Sequence, residues 1–192
     1  MKPILSIWIT PRKTFVDLSE RNEEKNEVNV TLLFILFSMT AGFSNASDFN
    51  KLLDGNFYLS LLIGMVVAGL VGLFMLNSVV SILYYWTSKL FQGKAEKDEI
   101  KITLAYSLVP NLVYLIIGLV LIIPSIILDN KEIINFHHPV LSFGLWLISF
   151  RALVYGLAYF NKYSYLYALL TALIPPAIFQ GLLFGLKFII DI

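Results

Sequence analysis

Arg151 is the residue whose surroundings most demand chemistry. It lies within an apolar run from Pro139 to Asn161, ten residues before that run ends. On a helix its Cα would stand about 15 Å from the end, too deep for a comfortable reach to water. An ionisable group at that depth needs polar side chains, carbonyls or water, and is a functional candidate by default. Asn77 and Asn111 fall at similar depth in their own apolar runs. Together with Arg151 they form a candidate intramembrane polar cluster facing the bundle interior, with carbonyls freed by Pro110 or Pro175 as further acceptors. Two roles are open. Arg151 binds an anionic substrate or lipid headgroup in an internal cavity, or it is a structural clamp between helices. The clamp is favoured, because no Asp or Glu lies inside an apolar run to build a proton relay.

Other constellations carry less. His137 and His138 lie near Asp129 and Glu132. A zinc site needs about four convergent ligands, and consecutive side chains point apart, so an interfacial loop without metal is the better reading. The chain contains no cysteine, which excludes disulfides, thiolate metal sites and a cysteine nucleophile. Neither a Gly-x-Ser-x-Gly elbow nor a His-Glu-x-x-His pair is present, and no phosphate-binding glycine loop or dinucleotide fingerprint occurs. The sequence therefore offers no catalytic residue, no metal ligand and no cofactor site, and it does not read as that of an enzyme.

The elements that must position these residues follow from composition. Of 192 residues 58% are hydrophobic and only 14% charged, far below the roughly one-quarter charged of soluble domains. That is the balance of an integral membrane protein. A net charge of +1 gives no basic field for nucleic acid. Five apolar runs, about 28–46, 57–88, 103–128, 139–161 and 163–186, are long enough to cross a bilayer, for which roughly 20 helical residues suffice. The expected fold is an all-α bundle of five transmembrane helices. Residues 1–27 form a polar arm before it, in which Ile4 to Ile9 is too short for a signal-peptide core. In that arm Thr10 and Pro11 predict a helix start with a side-chain cap, and Phe15 and Leu18 share a face. Such an arm either lies at the membrane interface or docks a partner, or it is a solvated leader whose few apolar residues pack under the bundle.

Ten lysines and arginines fall on the arm side of this layout, against Lys51, Lys131 and Lys187 opposite. That bias predicts a cytoplasmic N-terminus and an external C-terminus. Gly64, Ala68 and Gly72, at four-residue spacing, form a ridge for close helix packing, read as an internal seam in preference to a dimer interface, though a homo-oligomer stays open. Pro110 and Pro124 are expected to kink the third span and Pro175 with Pro176 to break or kink the fifth.

Pro11-Arg12-Lys13-Thr14-Phe15, Gly93-Lys94 and Ala105-Tyr106-Ser107-Leu108-Val109-Pro110 resemble the opening, loop and third-span pattern of the Yip family, the Ypt/Rab-interacting membrane proteins, in their bacterial form. The resemblance implies a polytopic membrane protein without known catalytic chemistry, in the cytoplasmic membrane of a bacterium. Eukaryotic members act in vesicle trafficking with small GTPases, but the Asp-Leu-Tyr-Gly-Pro string of that branch is missing from residues 1–27, so GTPase binding is not carried over. The expected function is a non-catalytic scaffold or partner-binding, membrane-organising module. Its partners would be lipids and a membrane or cytoplasmic protein. The rival is a small transporter or channel with a polar layer around Arg151.

Overall fold

A computed structural model of the chain describes residues 3–20, 23–53, 56–135 and 138–190. The described residues are helical throughout apart from short connections, and none of them forms a strand. Five helical stretches are long and apolar enough to cross a membrane: Asn26–Phe43, Phe57–Leu90, Lys97–Ile127, Lys131–Asn161 and Tyr165–Leu182. Their outward faces carry large apolar side chains such as Leu62, Leu70, Val120, Ile127 and Leu166, as a lipid-facing bundle requires.

The arm folds as two short helices, α1 (Pro3–Ile9) and α2 (Pro11–Ser19). Pro11 at the first helical position starts α2, but the expected cap is not made. The Thr10 hydroxyl turns back to the Ser6 carbonyl at 3.3 Å, closing α1 instead. Thr14 ties the pair together by donating to Ser6 Oγ at 2.8 Å. Ile7, Phe15 and Leu18 are fully buried against the bundle, so the few apolar residues of the arm pack onto it. Withdrawing Phe15 and Leu18 from water stabilises this docking by at most about 1.5–3 kcal/mol each.

The first span, α3 (Glu23–Ser44), leads through a short amphipathic α4 (Ala46–Leu53) to the second. That second span runs as α5 (Phe57–Phe74), a π-helical segment Met75–Val80, and α6 (Ser81–Leu90). Glycines set the approach of α3 to α5. A Cβ on Gly72 would fall 2.0 Å from Ser38 Oγ, one on Gly42 would meet the Met65 backbone at 2.6 Å, and one on Gly64 would meet the Phe49 ring at 2.8 Å. Two members of the ridge are thus occupied from within the chain, while Ala68 lines a shallow groove beside them.

The third span is α7 (Lys97–Ser107), a 3-10 turn Val109–Asn111 and α8 (Leu112–Ile127). Pro110 sits in that turn, where the missing N–H interrupts the α-helical ladder. Pro124 lies inside α8, which continues past it. After a 3-10 turn at Lys131–Asn135 come α9 (Pro139–Asn161) and α10 (Tyr165–Ile190). Of the break or kink expected at Pro175 and Pro176, α10 shows no break and runs on as a helix through both. Pro176 leaves the Ala172 carbonyl without its usual donor, and the Tyr84 hydroxyl of α6 donates to that oxygen at 3.3 Å.

Two apolar clusters hold the bundle. Phe15, Leu18, Ile100, Tyr106, Leu157 and Phe160 anchor the arm end. Phe43, Phe57, Leu61, Met65, Leu115 and Ile134 fill the opposite end.

Candidate functional site

Arg151 does not face the bundle interior. Its side chain is exposed on the outer surface of α9, where Nη2 donates to the Ile9 carbonyl at 3.4 Å and the guanidinium lies 5.6 Å from the Tyr155 ring centroid. The carbonyl that receives it belongs to the junction of α1 and α2, not to a proline-disrupted span. The sequence located the position of Arg151 along its apolar run but not its face, because all faces of α9 are apolar enough to mask the direction of burial. Arg151 reaches from the fourth span to the arm through this one hydrogen bond.

Asn111 lies elsewhere, at the turn between α7 and α8, and donates through Nδ2 to Ser149 Oγ of α9 at 2.8 Å. This bond bridges the third and fourth spans next to a cavity of about 980 Å³ between spans. Phe37, Thr40, Tyr114, Trp146, Pro176 and Gln180 contribute to its walls, and among the described residues no charged side chain does. A Tyr114–Ser142 hydroxyl contact closes another junction between α8 and α9. The polar groups here therefore join helices inside a mainly apolar space.

Asn77 occupies a third location. It is exposed in the π-helical segment, a widened turn of a kind often found at functional sites. Its backbone carbonyl accepts from Ser81 Oγ at 2.5 Å. The side chain borders a cleft of about 530 Å³ at the arm end, shared with Asn26, Thr31, Glu27 and Glu99. Asn26 is buried there; its Nδ2 donates to the Leu18 carbonyl at 2.9 Å, while Oδ1 is without a partner. The expected cluster of Arg151, Asn111 and Asn77 is thus distributed over three sites.

His137 lies outside the described residues. His138 caps α9, its Nδ1 accepting from the Leu141 N–H at 3.5 Å. Among the described residues no group of three or more His, Cys, Asp or Glu side chains is arranged to hold a metal ion.

The Yip1 domain family model matches residues 5–186, nearly the whole chain, and includes both the arm and all five spans. The chain belongs to the Yip1 domain family. No curated protein and no solved structure matches it significantly.

Two features of this Yip1 domain are not evident from the sequence, and both explain a motif that carries the resemblance. The first is Asn161, nearly fully buried at the end of α9. Its Oδ1 accepts from the Ala95 N–H at 3.3 Å, its Nδ2 donates to the Leu157 carbonyl at 3.0 Å, and its own carbonyl accepts from the Lys94 N–H at 3.2 Å. Lys89 Nζ adds bonds to the Gly93 and Ala95 carbonyls at 2.9 and 3.0 Å. Gly93 must be glycine, since a Cβ there would stand 2.1 Å from Asn161 Oδ1. The second feature is Gly156, whose missing side chain admits Phe15 and Thr103, at 2.7 and 2.6 Å from a Cβ position. Phe15 then meets Phe160 edge to face at 6.0 Å. The arm motif and the loop motif thus converge on the last turns of α9. An asparagine ending an apolar run and a glycine five residues before it were the available signals.

Proposed function

We propose that this Yip1-family membrane protein is a non-catalytic scaffold whose arm-side surface receives a cytoplasmic protein partner. One observation carries the reading. The arm and the loop between the second and third spans are both fixed to the end of α9, with Thr14, Phe15 and Leu18 fully buried, so the chain maintains a shaped polar platform on that side. A leader that merely preceded the bundle would have no need of such anchoring. The excess of lysine and arginine on this side supports a cytoplasmic orientation, and the resemblance to the bacterial form supports a bacterial cytoplasmic membrane.

The rival reading is a transporter or channel, favoured by the cavity of about 980 Å³ between the spans. Reconstitution into sealed proteoliposomes separates them. Ion and solute flux is measured under an imposed potential, with Arg151→Gln as comparison after both are shown to be folded. The scaffold reading expects no flux across a broad anion and cation panel. It also expects photocrosslinks to one discrete protein from probes at Glu20, Gln92 and Lys97 in native membranes, and none from Leu52 or Leu128. Selective flux by the native protein, or crosslinks to lipid alone from every position, overturns it.

A further inference from the structure

We propose that Arg151, Arg12 and Lys13 form a binding site for the phosphate of an anionic phospholipid in the leaflet on the arm side. The three cations line one cleft of about 640 Å³ where α2 crosses α9, together with Tyr155 and Tyr165. Asp17 is the single acid among the lining residues, so the cleft carries a surplus of two positive charges. The ion pairs formed among the described residues are Lys51–Asp48 and Lys101–Asp98, each local to one helix, and Arg151 takes part in neither. A guanidinium on the outer face of a membrane-crossing helix, in no ion pair with a carboxylate, is costly unless an anion or water reaches it. Its bond to the Ile9 carbonyl uses one of five donors, leaving N–H groups suited to two phosphate oxygens.

The same face of α9 says why the anion should belong to a lipid. Residues four, seven and eleven positions before Arg151 share its side of the helix. They are Leu147 and Val140, both exposed, and between them Gly144, with nothing within 4 Å of where its Cβ would stand. This makes an open apolar lane running from the guanidinium toward the far side of the bundle, wide enough at Gly144 for a chain to lie against the helix backbone. A phosphate seated on Arg151 would place its acyl chain there. Arg12 and Lys13, exposed on the first turn of α2, line the same cleft and add their charge to the headgroup site. Arg151 thereby joins arm, span and lipid.

The test uses the full chain purified in a neutral detergent, titrated with short-chain phosphatidylglycerol, phosphatidylcholine of equal length, or inorganic phosphate. Retained lipid is read by native mass spectrometry and affinity by thermal shift. The native protein is expected to bind phosphatidylglycerol in preference to phosphatidylcholine, with affinity falling about fivefold for each cation removed. Arg151→Gln should weaken binding about fivefold and the pair Arg12→Gln with Lys13→Gln about 25-fold, and Arg151→Lys should retain the charge but bind less tightly than native. The paired arm variant changes only exposed side chains, so it still tests the site where Arg151→Gln fails to fold. Equal binding of the two lipids, an unchanged affinity in the arm variant, or a thermal shift reproduced by inorganic phosphate alone would overturn the proposal.

Discussion

At the residue scale, the bundle is decided by a few polar atoms placed where the backbone needs them. The Tyr84 hydroxyl serves the Ala172 carbonyl left open by Pro176. Tyr84→Phe should therefore destabilise the protein by about 0.5–2 kcal/mol, the range of hydrogen bonds between membrane helices. Pro176→Ala restores an N–H to that carbonyl, so in its presence Tyr84→Phe should cost much less; thermal unfolding of the four combinations measures the coupling. Additive losses would mean that the hydroxyl serves some other role. Residue chemistry was only partly legible in the sequence. The position of Arg151 along its helix followed from counting along its apolar run, whereas its partner did not. The Arg151–Ile9 bond joins residues 142 positions apart, and nothing local records it.

At the scale of elements, the contact of α2 with α9 depends on a missing side chain. Gly156→Leu would push against Phe15 and Thr103 and should cost about 1–3 kcal/mol while freeing the arm for proteolysis near Ser19. Gly181→Leu, on α10 where nothing lies within 4 Å of the Cβ position, should leave stability within about 0.5 kcal/mol. If both variants lose stability alike, general helix crowding and not arm docking is at work. Apolar runs located the helical stretches because length and hydropathy are properties of the chain itself. The fate of the prolines depended on neighbours. Pro110 interrupts its span and Pro175 with Pro176 does not, although the residue type is the same.

For the whole molecule, the seam between α3 and α5 separates internal packing from self-association. Gly72→Leu would collide with Ser38 of the same chain. It should lower the thermal midpoint by several degrees, at about 2–4 °C per kcal/mol for a chain of this size, with the mass of the detergent-solubilised particle unchanged. A change of mass with the midpoint preserved would instead make this ridge a contact between copies. Composition announced the solvent of the fold and the spacing of small residues announced close packing. Which helix fills the ridge was beyond it, because several spans present comparably apolar faces.

The docking of the arm also imposes an order on biogenesis. Ser19 bonds to Tyr159, 140 residues later in the chain. At ~5–20 residues per second of synthesis, the arm waits roughly 7–28 s before its seat on α9 exists. During that interval Phe15 and Leu18 lack the part of their burial that α9 provides. The arm thus leaves the ribosome well before its seat on α9, and a chain truncated before Tyr159 would lack that seat altogether.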